Sequence, residues 1–262
     1  MEMEGRNDNN KENKGQKVEE TESSGAESFS VEEKHKIELM RALLLKRDPS
    51  FQVEVVDDYQ MRRFLGARDL DVEKATKMVI KERQWRSAFV PKGHISVSEV
   101  PNEIGQNKMF MQGVDKQGRP IAVVFGGRHL QNKAPDEFKR YVVLGLDKLC
   151  ARTSPGKEKF VVIGDLQGFG YSNSDVRGYI GALSILQDFY PERLGKVFVV
   201  HAPYVFWTLY KAVHPFIDDK TKKKIIFVEN KRLKSTLLED IDEDQLPDIY
   251  GGKQSLVPIH NA

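Results

Sequence analysis

Hydrophobic residues between positions 30 and 91 recur every three or four places, with polar residues between them. This spacing predicts amphipathic helices. Ser30, Asp57 or Asp58, and Asp71 precede the three helical stretches and are residue types that cap helix N-termini. The region from 30 to 91 is therefore predicted to form an all-helical N-terminal unit.

From residue 92 to residue 253 the pattern changes to short apolar runs that alternate with helical stretches. A run that begins at Met109, a turn at 115–118 and a run at 121–125 predict a β-hairpin. Continuous apolar strands separated by helices are typical of a buried parallel sheet. The predicted fold is therefore α/β, with a mostly parallel sheet. The further strands are predicted at 160–163, 197–200 and 225–228.

The two ends of the chain are expected to lie outside this fold. Residues 1–29 are rich in Glu, Lys, Asn, Ser and Gly, and Phe29 is their only aromatic residue. Such a composition cannot bury enough apolar surface to order the chain, so we expect a disordered tail. Residues 254–262 are predicted to form a short C-terminal tail.

Composition narrows the class of protein. The formal net charge is +2, so the total charge does not indicate a nucleic-acid partner. Cys150 is the single cysteine, which excludes an intrachain disulfide and favours a reducing compartment. Apolar runs in the sequence are too short to span a bilayer. We expect a cytoplasmic monomer that associates peripherally with membranes.

Common catalytic motifs do not match the sequence. The segment GDLQGFG at 164–170 has the spacing Gly-x-x-x-Gly-x-Gly, and Asp165 would repel the pyrophosphate of a dinucleotide. We interpret it as a turn whose glycines adopt positive φ angles. The histidines lack metal-ligand spacing, and we interpret His201 and His214 as structural. No nucleotide, metal or hydrolase site is predicted, and we expect a protein that is not an enzyme.

Charged and hydroxyl side chains at distant places in the chain suit the phosphate of an amphiphile. Thr221 and Lys224 are three residues apart and so share one side of a helical turn. Glu192 lies beside Arg193, and Arg68 lies just before a predicted helix. Each also has an ordinary interpretation, as a solvated ion pair, a solvated helix face or a partner of the helix cap.

The segment 205–217 is apolar on most sides of a predicted helix. It is either a buried core helix or a lid whose outer face meets lipid, and the periodicity alone favours the core helix. The residues that would form such a lid are Val205, Phe206, Trp207, Leu209, Tyr210, Val213 and Phe216.

Six motifs in a fixed order resemble one known family. They span most of residues 31–253, and chance similarity rarely preserves both content and order. The chain resembles the CRAL-TRIO lipid-binding domains, and among them the phosphatidylinositol-transfer branch with a helical N-terminal extension. The motifs are RFLGARDLDVEKA (63–75), DKQGRP (115–120), YPERLGK (190–196), HAP (201–203), PFIDDKTKKKI (215–225) and LPDIYGG (246–252).

This resemblance implies that the sheet floors an apolar lipid pocket, closed by a gate helix that matches residues 205–217. It also implies that Arg68, Thr221 and Lys224 serve the phosphate of phosphatidylinositol and that Glu192 orients Lys224. The implied function is binding, transfer or presentation of this lipid at membrane surfaces, with the phospholipid as ligand and no other cofactor. A phosphoinositide kinase is one partner that presentation would serve.

Four positions depart from family members that also bind phosphatidylcholine. Phe160 and Val162 stand where those members carry small hydroxyl residues, and Phe110 and Met111 stand where they carry tyrosines. A choline headgroup would find fewer hydrogen-bond partners here. We therefore do not expect phosphatidylcholine to bind well.

Two alternative functions remain open from the sequence. One is a carrier of a sterol, tocopherol or retinoid, although burying Lys224 without a phosphate would be costly. The other is a phosphoinositide-dependent adaptor that docks proteins through residues 1–29.

Overall fold

The computed structural model describes residues 29–49, 56–131 and 134–262. The predicted N-terminal tail up to residue 28 lies outside these ranges. The helices are α1 (Val31–Arg47), α2 (Asp58–Gly66), α3 (Val72–Phe89), α4 (Pro101–Gly105), α5 (Pro135–Ala151), α6 (Val176–Phe189), α7 (Tyr204–Val213), α8 (Asp219–Lys222) and α9 (Leu233–Asp240). The strands are β1 (Met109–Val114), β2 (Pro120–Phe125), β3 (Phe160–Asp165), β4 (Leu194–Val200) and β5 (Ile225–Phe227).

Short polar side chains begin the first three helices, as predicted. Ser30 and Glu33 form a capping box at α1, in which each side chain bonds to the other residue's backbone N–H. Asp57 caps α2, whereas the alternative, Asp58, is its first helical residue. Asp71 caps α3. The helices then bury one common core, composed of Ile37, Met40, Leu44, Val56, Met61, Phe64, Leu65, Ala75, Met78 and Val79.

The five strands lie in the order β1-β2-β3-β4-β5. The predicted hairpin is confirmed, since β1 and β2 are antiparallel, and the remaining pairs are parallel. The hairpin turn closes where the Asp115 carboxylate accepts hydrogen bonds from the backbone N–H groups of Gln117 and Arg119. The predicted α/β fold with a mostly parallel sheet is confirmed.

Helices cover both faces of the sheet, which explains why its strands are continuously apolar. On β3, Phe160 and Val162 pack in the core that includes α5 and α6. The intervening Val161 and Ile163 pack in the opposite core, which includes Leu237 of α9. The helix α7 lies on the same face as α5 and α6, against β4.

Two predictions about the strands and turns need correction. The strand β3 continues to Asp165, so Gly164 belongs to the sheet and not to a turn. Of the glycines in GDLQGFG, Gly168 has a φ angle of 75°, whereas Gly170 has a φ angle of −139°. Only one glycine of this segment therefore needs the left-handed conformation that its lack of a Cβ allows.

The helical N-terminal unit is anchored on α5 and α6. The rings of Trp85 and Phe189 stack with centroids 3.9 Å apart. The guanidinium of Arg86 donates to both carboxylate oxygens of Asp147, at 3.0 and 2.7 Å, and to the hydroxyl of Tyr190 at 3.1 Å. An aromatic stack beside a two-pronged ion pair fixes both the distance and the orientation of the unit.

The predicted C-terminal tail packs against the fold. Ile259 is buried in the core beneath α5. The ammonium of Lys148 donates to the carbonyl oxygens of Ile259 and Ala262, at 2.9 and 2.7 Å. The backbone of Pro258 also bridges to Phe110 of β1. These residues therefore extend the packed region beyond residue 253.

Candidate functional site: a charged cleft and the helix α7

The four candidate headgroup residues line one cleft, although up to 156 positions separate them in the sequence. This headgroup cleft has a volume of about 350 Å³. Arg68 comes from the connection between α2 and α3, and Glu192 from the connection between α6 and β4. Thr221 and Lys224 come from α8 and the residues that follow it. The structure thus brings together every residue of the predicted set.

Glu192 and Lys224 form the ion pair that the resemblance implies. The ammonium of Lys224 lies 3.3 Å from a carboxylate oxygen of Glu192, and both side chains are about one fifth exposed. Glu192 adopts a φ angle of 55°, a left-handed conformation that is uncommon for residues other than glycine. Such backbone strain is tolerated where the surrounding structure holds a side chain in a required place.

Thr221 is held by the cap of α8. Asp218 caps this helix by accepting from the backbone N–H of Thr221 at 2.7 Å, and its second oxygen accepts from the Thr221 hydroxyl at 2.8 Å. The hydroxyl proton is therefore committed to Asp218. To accept a hydrogen bond from this hydroxyl, a phosphate must replace the Asp218 carboxylate as its acceptor. The bond from the Thr221 backbone N–H to Asp218 can remain, so α8 stays capped.

Arg68 lines the cleft and donates to the carbonyl oxygen of its neighbour Ala67 at 2.9 Å. The carboxylate of Asp71 caps α3 through Lys74 instead. The guanidinium has five N–H donors, and one of them donates to the backbone here. It retains donors for an anion in the cleft.

Sequence reasoning missed Asp218 and Lys220. The ammonium of Lys220 donates to the carbonyl of Gly66 and to the carboxylate of Asp69, both at 2.7 Å. It thereby ties α8 to the connection that carries Arg68. The signal in the sequence was the charged run 218–224, but a run of charges does not reveal which member faces which partner.

Charges of both signs line the headgroup cleft. Arg68, Lys220 and Lys224 are positive, and the carboxylates of Asp188, Glu192, Asp218 and Asp219 are negative. Cations bind a phosphate, whereas carboxylates accept hydrogen bonds from hydroxyl groups. A ligand that carries both a phosphate and hydroxyls suits this mixture better than a bare anion does.

The helix α7 is buried on one side only. Leu209 is 7% exposed and packs with Leu166, Phe169 and Val199. Val205, Phe206 and Val213 are half-buried against the same cluster. The prediction of a buried core helix therefore holds for one side of α7 only, because the opposite side is exposed to solvent.

The outer side of α7 is aromatic. Trp207 is 38% exposed, and its ring lies 4.8 Å from that of Phe227, which is also exposed. Tyr210 lies 5.2 Å from Phe227. The predicted segment continues as a short 3-10 turn, His214–Phe216, in which Phe216 is exposed. Proline at position 215 lacks the N–H of a regular helix, which explains the end of α7.

A polar junction precedes α7. His201 has a φ angle of 52°, and its Nδ1 lies 2.9 Å from a carboxylate oxygen of Asp165. The other oxygen of Asp165 accepts from the hydroxyl of Tyr250 at 2.8 Å. Burial raises the pKa of Tyr250, and the neighbouring Asp165 carboxylate raises it further, so the hydroxyl keeps its proton. His201 is thus hydrogen-bonded, as expected of a structural histidine, and His214 packs near Tyr210.

Comparison with known families matches the CRAL/TRIO domain to residues 105–252, more than half of the chain. The chain belongs to the CRAL/TRIO family. It is 33% identical to the Sec14 cytosolic factor of Schizosaccharomyces pombe, covering 76% of this chain and 76% of that protein. It is 31% identical to the phosphatidylinositol/phosphatidylcholine transfer protein SFH12 of Arabidopsis thaliana, covering 85% of this chain and 45% of that protein.

The fold of this CRAL/TRIO protein also matches a solved structure. The crystal structure of Sfh5 superposes with a TM-score of 0.64 and 18% identity, covering 80% of this chain and 85% of that one. The family comprises lipid-binding and lipid-transfer proteins that are not enzymes. Among the residues that the structure describes, no helix has the length and hydrophobicity needed to cross a membrane.

Proposed function

We propose that this CRAL/TRIO protein binds phosphatidylinositol and exchanges or presents it at membrane surfaces. The convergence of Arg68, Glu192, Thr221 and Lys224 on one cleft supports this proposal most directly. The cations receive the phosphodiester, and the neighbouring carboxylates accept hydrogen bonds from the inositol hydroxyls. Glu192 holds Lys224 in place through their ion pair.

The acyl chains are proposed to lie on the sheet face that α7 covers. This face already carries Leu166, Val199 and the inner side of α7, which together provide apolar surface. Moving α7 outward would separate it from β4 and open that surface. The exposed aromatic ring of Trp207 would then meet the membrane, where amphipathic rings preferentially lie.

Exchange on a membrane, rather than release into water, follows from the size of the hydrophobic effect. Each methylene group removed from water contributes about 0.8 kcal/mol. Two acyl chains with about 30 methylenes together would therefore cost more than about 20 kcal/mol to pass through water. A gate that opens against the bilayer avoids this cost, because the chains never become fully hydrated.

The test is transfer of labelled phosphatidylinositol between vesicles. Lys224→Ala and Glu192→Lys are expected to weaken binding roughly ten- to hundredfold, since each removes a charge-assisted contact. Lys223→Ala is the matched control, because this neighbouring lysine is exposed and lies outside the cleft. Circular dichroism checks that each variant is folded. Unchanged transfer by both cleft variants would refute the site.

The same assay with labelled phosphatidylcholine tests ligand choice. Met111, Phe160 and Val162 all lie on the sheet face that packs against α5 and α6, and none carries a hydroxyl. Phe110 lies in the opposite core and so contributes nothing to this choice. We propose that phosphatidylcholine is exchanged at least about tenfold more slowly, because its headgroup loses hydrogen bonds on entry. Equal exchange of the two lipids would contradict this.

A further inference from the structure

A second cleft, of about 540 Å³, separates the helical N-terminal unit from the lipid-binding domain. Residues of α2 and α3 form one wall, and residues of α5 and of the connection between α6 and β4 form the other. Tyr190 and Pro191 line both this interdomain cleft and the headgroup cleft, so the two sites are neighbours on opposite sides of one connection. The volume falls within the range of roughly 300 to 1,000 Å³ that small-molecule sites occupy.

Glu82 of α3 lines the interdomain cleft without a partner. Glu82 is only 7% exposed. Its carboxylate makes no hydrogen bond or ion pair with the described part of the chain. Burial raises its pKa, whereas the guanidinium groups of Arg83, Arg86 and Arg63 act in the opposite direction. The carboxylate oxygens of Glu82 are not completely buried, so they are open to the cleft and can accept a hydrogen bond from a ligand there.

Arg63 and Arg193 line the same cleft and have too few acceptors for their positive charges. Both guanidinium groups share the single carboxylate of Glu158. Their side chains are 11% and 16% exposed. Burial, followed by the like charge of Arg193, lowers the pKa of Arg63. Because two guanidinium groups share one carboxylate, each retains N–H donors that an incoming anion can accept.

Another ion pair of this cleft is already complete. Arg86 is neutralised by Asp147, which also accepts from the Tyr190 hydroxyl at 2.7 Å. The unmet needs of the cleft are therefore an anion for the Arg63 and Arg193 pair and a hydrogen-bond donor for Glu82. One molecule meets both needs if it carries a phosphate and hydroxyl groups.

We propose that the interdomain cleft binds a phosphorylated polyol, with its phosphate on Arg63 and Arg193 and a hydroxyl on Glu82. The ligand is either a free sugar or cyclitol monophosphate or the headgroup of a lipid, since both present the same chemistry. The site is separate from the headgroup cleft and does not depend on Lys224.

Calorimetric titration of the full chain with myo-inositol 1-phosphate tests the proposal. We expect saturable binding that Glu82→Met and Arg193→Gln each weaken roughly tenfold or more, because each removes a charged hydrogen-bond partner. Glu82→Met should also raise the melting temperature, since an unpartnered buried acid is replaced by an apolar side chain of similar length. Glu82→Gln retains an acceptor oxygen and should bind with intermediate affinity.

Lys224→Ala separates this site from the headgroup cleft. It should reduce phosphatidylinositol transfer and remove any binding of the probe to the headgroup cleft, but it should retain a saturable binding step for myo-inositol 1-phosphate that Glu82→Met and Arg193→Gln weaken. Loss of the titration signal in Lys224→Ala would instead locate the probe in the headgroup cleft and overturn the proposal. Unchanged affinity in Glu82→Met and Arg193→Gln, or no binding to the wild-type chain, would overturn it too.

Two further titrations identify the source and class of ligand. Vesicles that contain phosphatidylinositol, added to Lys224→Ala, should compete with the soluble probe if the natural ligand is a lipid headgroup. Absence of competition assigns the site to a free monophosphate, and either result is consistent with the shared chemistry. Phosphoethanolamine carries an ammonium group in place of hydroxyls. Binding of phosphoethanolamine in preference to myo-inositol 1-phosphate would show that Glu82 receives a cation and would contradict the polyol.

Discussion

His129 belongs to a buried chain of polar side chains. The ammonium of Lys108 lies 2.8 Å from its Nδ1, and its Nε2 lies 3.4 Å from a carboxylate oxygen of Asp175. Lys108 also bonds to the buried carboxylate of Glu103. Burial, and next the charge of Lys108, lowers the pKa of His129 to about 4. The neutral imidazole is therefore the form that the fold accepts.

The stability of the protein should consequently fall in mild acid. In the unfolded chain His129 has an ordinary pKa of about 6.5. Below that pH His129 binds a proton in the unfolded state, but in the folded state it stays neutral until about pH 4. The free energy of unfolding therefore decreases across this interval. We expect a loss of about 1 to 3 kcal/mol. Urea denaturation at several pH values measures it.

His129→Asn provides the control for this pH dependence. An asparagine oxygen can still accept from Lys108, but it does not titrate. The variant should show a smaller decrease between pH 6.5 and pH 4 than the wild-type chain, within the interval set by the two pKa values. Identical pH profiles for the two proteins would show that His129 is not the group responsible.

Glu192 offers a second test, because its backbone conformation and its side chain have separable effects. At a φ angle of 55° a glycine is relaxed and an alanine is strained. Glu192→Gly is expected to be more stable than Glu192→Ala by about 0.5 to 1 kcal/mol. Both variants lose the ion pair with Lys224 and should reduce phosphatidylinositol transfer equally. Equal stability in urea would mean that the position is not strained.

Helix α7 is the element whose two sides differ most. Its inner side packs on the sheet, and its outer side presents Trp207. The chain has two tryptophans, so Trp85→Phe makes the fluorescence report on Trp207 alone. On addition of anionic vesicles we expect a blue shift of the emission and quenching by bromolipid, because the indole enters the membrane interface.

Trp207→Phe is the matched control, since the remaining Trp85 stacks between Phe89 and Phe189. Its fluorescence should not respond to vesicles. If Trp207 is equally insensitive while lipid exchange proceeds, α7 is not the membrane-facing gate.

The boundary predicted between an N-terminal tail and the folded protein can be tested by deletion. Phe29 was predicted to be the last residue of the tail, but its ring lies 5.0 Å from that of Tyr59, and the guanidinium of Arg62 lies 5.4 Å above it. Deletion of residues 1–28 should leave the melting temperature unchanged. Phe29→Ala in the full chain should cost about 1 kcal/mol, because it removes an aromatic and a cation–π contact.

Thermal unfolding followed by circular dichroism compares the two proteins. A large decrease in melting temperature after deletion of 1–28 would show that the tail stabilises the fold. A neutral Phe29→Ala substitution would place the boundary after residue 29, as the sequence predicts.

The whole molecule shows which features follow from local sequence. The caps at Ser30 and Asp71, the hairpin turn and the apolar strands depend on residues a few positions apart, so their patterns are legible in the sequence. The identities of the four headgroup residues came from resemblance to a family, and not from spacing. Their ordinary interpretations as solvated charges were equally consistent with the sequence.

Other features depend on which elements pack together. Periodicity could not show that α7 is buried on one side only, because its sequence is apolar on most sides. It could not show that Glu82 lacks a partner, or that Arg63 and Arg193 share Glu158, because these residues come from separate elements. Local patterns arise from contacts between chain neighbours, whereas clefts arise where distant segments meet. The sequence therefore predicts the helices and strands, and packing alone places their charges opposite one another.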